Sequence, residues 1–117
     1  MSSSDTRALI ERAVRGFGEE VPALKSLKLV IRLELRARGD APVWRVEVPG
    51  PKVTKEPAPD ARVDISVPRS HFNELAEDGR LRHWVEAHEH GHVKVTGDQA
   101  VIRLVANVVE RRLARAR

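Results

Sequence analysis

Apolar and polar residues alternate most clearly along residues 27–38. Every second residue from Leu27 onward is apolar, and the residues between them are charged, with Val30 as the one exception. Strict alternation is typical of a strand with one buried and one solvated face. The segment Gly39–Pro42 predicts a turn, and the alternation then returns over residues 43–48. Together the two segments predict a β-hairpin.

Shorter alternating segments predict the remaining strands. Lys52–Lys55 is a candidate short edge strand, because Pro57 and Pro59 enforce a loop soon after it. Residues 62–67 alternate again, and Gly91–Gly97 predicts a last strand. The chain therefore supplies a sheet of five strands.

Helical spacing of apolar residues predicts four helices around these strands. The first ends near Phe17, the second runs from Pro68 to Gly79, and the third covers residues 81–88. Asp98 is the expected N-cap of a final helix that is apolar over a wide arc. Solvated faces on several strands favour an α+β fold, a five-stranded and mostly antiparallel sheet with helices packed on one face.

Composition narrows the class of protein. A chain of 117 residues fits one domain, residues 1–117, and the absence of cysteine excludes disulfides and thiol chemistry. The chain has no run of about 18 apolar residues and no secretory signal, so we expect a cytoplasmic protein without a transmembrane segment. Acidic residues are interleaved with the basic ones behind the net charge of +4, which argues against a nucleic-acid partner.

Motifs for catalysis are absent from the sequence. The chain contains no Gly-rich phosphate loop and no G-x-S-x-G elbow, and Ser70 beside His71 is not in itself a nucleophile and its base. We therefore expect a protein that is not an enzyme and that needs no cofactor.

A cluster of histidines offers an alternative function. In an extended chain His88, His90 and His92 would point to one side, where they would suit zinc, nickel or copper. The predicted helix end and turn break that period, and the segment lacks the H-E-x-x-H spacing. Metal binding by these residues stays a secondary hypothesis.

The order of these elements, with four short motifs, resembles the sterol carrier protein 2 (SCP2) family of lipid-binding domains. The matching segments are Trp44–Val48, Asp60–Val67, Phe72–Gly79 and Gly91–Asp98. The resemblance implies an apolar tunnel between sheet and helices that binds fatty acids, acyl chains, sterols or similar lipids for carriage or presentation. The chain departs from eukaryotic carriers in ending with Ala116 and Arg117 rather than with a peroxisomal tripeptide. We expect a domain of bacterial character.

Apolar residues of the helices are the expected lining of that tunnel. They are Leu9, Val14, Phe17, Phe72, Leu75, Trp84, Val101, Leu104, Val105 and Val108. Arginine matches carboxylate and phosphate groups, so Arg103, Arg111 and Arg112 are candidates for holding a lipid head group, with the last helix as a gate.

Two alternatives stay open at this point. The apolar faces suit a fully packed interior equally well, in which case the domain would act by docking a protein partner. The apolar last helix also suits a homodimer contact.

Overall fold

The computed structural model describes residues 3–115, apart from the side chains of Ser3 and Asp78. Ala116 and Arg117, on which the sequence interpretation of the chain end depends, lie outside the described residues. The elements are α1 (Ser3–Glu20), a 3-10 helix (Pro22–Ser26), β1 (Leu29–Arg36), β2 (Val43–Val48), β3 (Lys52–Thr54), β4 (Val63–Pro68), α2 (Arg69–Asp78), α3 (Leu81–Glu89), β5 (Lys94–Gly97) and α4 (Gln99–Arg115).

The five strands form one sheet in the order β3-β2-β1-β4-β5. The β1/β4 pair is parallel, and the other three pairs are antiparallel. Leu33 of β1 lies opposite Trp44 of β2 and beside Ile65 of β4, which in turn lies opposite Val95 of β5. The α+β fold class and the mostly antiparallel sheet predicted from the alternation are therefore confirmed.

The end of the first helix and the start of β1 differ from the sequence prediction, because local backbone hydrogen bonds decide where each begins or ends. The first helix continues past Phe17 because the N–H of Val21 still donates to the Phe17 carbonyl, at 2.8 Å. Leu27 and Lys28 do not belong to β1, since the 3-10 helix occupies the residues just before them. Proline at the start of that helix satisfies its geometry and breaks the preceding one.

The last strand is also shorter than predicted. It begins at Lys94 rather than at Gly91. The backbone N–H groups of His92 and Val93 both donate to the Ala87 carbonyl oxygen, which folds this segment into a turn at the end of α3. Gly91 has a φ of +81°, a conformation that suits glycine in such a turn.

Helices α1 and α2 pack on one face of the sheet and enclose the core. Leu35 and Val67 are completely buried at its centre, and Ile10 of α1 and Phe72 of α2 pack into the same cluster. The opposite face is polar: Ser66 donates to Glu34 at 2.8 Å and Arg45 pairs with both Asp60 and Glu47, as the alternation predicts. Within residues 3–115, no helix is both long and apolar enough to cross a bilayer.

Candidate ligand-binding cleft

The turn between β5 and α4 fixes the start of the last helix. The Asp98 carboxylate accepts hydrogen bonds from the N–H groups of Ala100, at 2.9 Å, and Val101, at 3.3 Å. Its second oxygen pairs with the Arg62 guanidinium, and its own N–H donates to the Arg62 carbonyl at 2.8 Å. The N-cap predicted at this residue is confirmed, and α4 is tied to the chain that enters β4.

This arrangement predicts a dependence of stability on acid pH. The Arg62 guanidinium, and then the N–H groups of Val101 and Ala100, hold the pKa of the Asp98 carboxyl below its usual range. A lowered folded-state pKa stabilises the fold above the unfolded value of about 3.9, and that contribution is lost as the pH falls through the folded pKa. We expect Asp98→Asn, which keeps a cap acceptor, to flatten the fall in unfolding free energy between about pH 5 and pH 3.

Urea unfolding at several pH values measures this effect. The Asp60 carboxyl, whose pKa is lowered by its hydrogen bonds with Arg45, titrates in the same direction in both proteins and so cancels in the comparison. Equal slopes for the original chain and Asp98→Asn would show that the ion pair contributes nothing.

Helix α4 is only half-buried along its described length. None of its residues is fully buried, and an apolar stripe that recurs at helical spacing is half-buried instead. The stripe consists of Val101, Ile102, Val105, Val108, Val109 and Leu113. At the far end of the helix, Arg112 Nε donates to the Glu20 carbonyl oxygen at 2.6 Å. The helix therefore runs from β5 to the end of α1 and contributes no fully buried residue to the core.

The inner face of the sheet is incompletely covered at its central strands. Ile31 of β1 and Ile65 of β4 share that face with the buried Leu33 and Leu35, yet both are only half-buried. Val95 of β5 is half-buried as well. All three side chains pack against the core without being fully enclosed by it.

A cleft of about 410 Å³ opens between α1, the end of α2 and the start of α3. Its apolar wall is formed by Ala13, Gly16, Phe17, Leu75, Ala76, Leu81 and Trp84, and its rim by Arg12, Arg15, Glu19, Glu20 and Glu77. The volume lies in the usual range for small-molecule sites, although the accessible surface of this cleft is more polar than apolar.

Two aromatic rings of the cleft wall, Phe17 and Trp84, pack together, and Phe72 supports Trp84 from the core. Trp84 of α3 lies between Phe17, at 5.1 Å between ring centroids, and Phe72, at 5.8 Å. Phe72 is buried in the core, whereas Phe17 and Trp84 are half-buried. Tilted and edge-on ring pairs at these separations are favourable, so contacts with both phenylalanine rings hold Trp84 in place in the cleft wall.

Two polar contacts hold the helices around this cleft. Glu20 of α1 accepts a hydrogen bond at 2.6 Å from the N–H of Leu81, the first residue of α3. Arg12 donates to the carbonyl oxygen of Glu77 near the end of α2, at 3.0 Å. Three elements that are distant in sequence are thereby joined at the rim.

The predicted lining residues divide into three groups. Phe17, Leu75 and Trp84 line the cleft. Leu9, Val14 and Phe72 belong to the core or pack against it. Val101, Val105 and Val108 lie in the half-buried stripe of α4, and Leu104 is 51% exposed.

The arginines proposed for a head group are not gathered at one point. Arg103 and Arg111 are exposed and about 12 Å apart along the helix axis. Arg112 is engaged with the Glu20 carbonyl near the rim of the cleft. The rim itself is built from Arg12, Arg15 and acidic residues of α1 and α2, which look like an ordinary solvated helix face in the sequence.

The turn that ends α3 breaks the extended spacing of the histidines, although the rings of His90 and His92 remain 6.4 Å apart between centroids. His88 belongs to that helix, and His90 caps it, while His92 stacks on His71 of α2 with 4.4 Å between ring centroids. Among the residues that the structure describes, no three His, Cys, Asp or Glu side chains are placed to hold a metal ion. The metal-site hypothesis has no support from this arrangement.

Comparison with known proteins bears on the fold. No protein-family model and no curated protein sequence matches the chain. A palmitated SCP2L2 structure from Aedes aegypti is 16% identical with a TM-score of 0.59, covering 86% of this chain and 93% of that one. Sterol Carrier Protein 2 from Yarrowia lipolytica, in its apo form, is 16% identical with a TM-score of 0.55, covering 94% of each chain.

A third similar structure is described as "UbiJ-SCP2 Ubiquinone synthesis protein". It is 22% identical with a TM-score of 0.56, and the match covers 96% of this chain and 95% of that one. All three matches span nearly the whole domain. The chain therefore has the fold of SCP2 domains, as the four sequence motifs indicate.

Proposed function

We propose that this domain binds a hydrophobic ligand, such as a fatty acid, another acyl chain or a sterol, and carries or presents it without chemical change. The observation that supports this most directly is the cleft of about 410 Å³ beside Phe17, Leu75 and Trp84. The cleft lies among the helices that cover one face of the sheet, whereas the resemblance to lipid-binding domains implies a tunnel between the helices and the sheet itself.

Burial of apolar surface supplies the affinity. Each methylene group removed from water contributes about 0.8 kcal/mol, so an acyl chain binds usefully without a dedicated ion pair. The charged rim of Arg12, Arg15, Glu19 and Glu20 keeps a polar head group in contact with solvent.

Helix α4 is the proposed gate. Because none of its described residues is fully buried, its displacement exposes less apolar surface than displacement of α1 or α2 would. The Asp98 cap holds its first turn, so opening would begin at the end near Arg112. A helix that is held at its two ends by hydrogen bonds and has no fully buried residue between them suits ligand entry.

The solved structures support lipid as the ligand class. One protein with this fold is palmitated, and another is described as a sterol carrier. At 16% identity they share the fold, and the choice among fatty acid, sterol and isoprenoid for this chain rests on direct measurement.

Native mass spectrometry of the freshly purified protein, with organic extraction of what is bound, tests the proposal. We expect a mass adduct that extracts as a lipid, and a rise in Tm with the matching lipid, since a ligand at a hundred times its Kd stabilises by about 2.7 kcal/mol. A clean apo mass with no thermal shift across fatty acids, sterols and isoprenoids would contradict it and favour a protein-docking module.

A further inference from the structure

One side of α4, along the edge of its half-buried stripe, carries an exposed apolar residue together with two cations. Leu104 is the exposed large apolar side chain of the described chain, at 51%. Arg111 and Arg115 follow it by seven and eleven residues, close to two and three helical turns, so the three lie on one side. Both arginines are exposed, as is Ala100 one turn before Leu104. We call these four residues the α4 outer face.

The charge on this face has one sign. Gln99–Arg115 contains four arginines and a single glutamate, Glu110. Glu110 immediately precedes Arg111, so it projects about 100° away around the helix axis. Arg112 projects to the other side and is engaged with the Glu20 carbonyl. The helix therefore presents an apolar side chain and two cations together, without an acidic residue of its own among them.

This combination discriminates between possible occupants. A second copy of the chain would bring cations against cations and is disfavoured. Nucleic acid would complement the charge but would leave Leu104 facing a phosphate backbone. An anionic lipid surface matches both features, because the leucine enters the acyl region while the long arginine side chains reach the head groups.

We propose that the α4 outer face docks on an anionic membrane surface. This docking is separate from ligand binding in the cleft, and either can fail without the other. It places α4, which reaches the rim of the cleft through the contact of Arg112 with Glu20, at the lipid surface, where a hydrophobic ligand would be taken up or released.

Flotation of the purified protein with lipid vesicles tests the proposal. The probe vesicles contain phosphatidylcholine alone or phosphatidylcholine with phosphatidylglycerol. We expect binding to the anionic vesicles only, and weakening by added salt. Arg111→Glu with Arg115→Glu should weaken it by at least about fivefold for each arginine removed. Leu104→Gln, which keeps the charge and the helix propensity, should also weaken it.

A matched charge control separates this face from net charge. Arg38→Glu with Arg82→Glu alters two exposed arginines elsewhere, and each double variant lowers the net charge from +4 to zero. The proposal requires that this control retains binding. It is overturned if the two double variants lose binding equally, if the original chain ignores phosphatidylglycerol, or if sedimentation shows a dimer that Leu104→Gln dissociates. A chain that takes up free fatty acid but ignores both vesicles would leave ligand binding intact and refute docking alone.

Discussion

Replacing Gly16 with tryptophan should weaken ligand binding in the cleft by more than about tenfold while leaving the fold intact. Gly16 lies in α1 on the cleft wall, and a Cβ built there meets no atom within 4 Å. A large ring at this position therefore occupies the space proposed for the ligand. Exclusion of even two methylene groups, at about 0.8 kcal/mol each, weakens binding by more than about tenfold. Titration with the lipid identified by extraction measures the change.

A graded series at this position makes the test specific. Gly16→Ala should raise the free energy of unfolding by up to about 1 kcal/mol, because glycine is a poor residue in a helix interior, and it should cost little binding. Gly16→Leu should fall between alanine and tryptophan in affinity. Binding that is insensitive to side-chain size, in variants whose unfolding remains cooperative, would place the ligand somewhere other than this cleft.

Most of the fold could be predicted from the alternation of apolar and polar residues and from the residues typical of turns. The inward positions of Leu33, Trp44 and Ile65 follow from a period of two, and their pairing across the sheet agrees with it. The Asp98 cap follows from the Gly-Asp pair before a helical pattern. These features are local, so a single sequence contains them.

The extent of burial could not be predicted in the same way. Ile31 and Leu35 occupy equivalent positions in one alternating strand, yet Leu35 is fully buried and Ile31 is only half-buried. The difference depends on the placement of distant helices over the sheet, which no local pattern encodes. The same reason explains why Leu104 was expected in the lining although it is exposed.

The rim of the cleft was missed for a related reason. Arg12, Arg15 and Glu20 have the spacing of a solvated helix face, and only tertiary contacts bring them beside Glu77 and Leu81. The sequence pattern predicted that the first helix ends near Phe17, whereas the helix continues through Gly16 and Gly18 to Glu20. A glycine inside a helix can instead mark a place where space is needed, and the open surroundings of Gly16 support that interpretation.

Replacing Gly97 with alanine should cause a large loss of stability. Gly97 has a φ of +124°, which L-residues rarely adopt, and such backbone strain costs about 1–3 kcal/mol. A Cβ there would also clash with the Arg62 carbonyl oxygen and lie 3.1 Å from the Val63 Cα. The strand pairing of Gly97 with Val63 and the anchor of α4 on Arg62 would both be disturbed. We expect Tm to fall by about 5–15 °C in thermal unfolding.

Gly39→Ala separates the two causes of the stability loss in Gly97→Ala, which are backbone strain at a positive φ and the clash of a Cβ with neighbouring atoms. Gly39, in the turn between β1 and β2, also has a positive φ, +75°, but a Cβ there meets no atom within 4 Å. Gly39→Ala therefore introduces backbone strain without a clash, and we expect the Tm of this variant to fall less than the Tm of Gly97→Ala. Equal losses in the two variants would mean that the close approach of Gly97 to Arg62 adds nothing. A greater loss for Gly97→Ala, together with easier proteolysis within α4, would establish that the Gly97–Asp98 turn is what holds the last helix against the sheet.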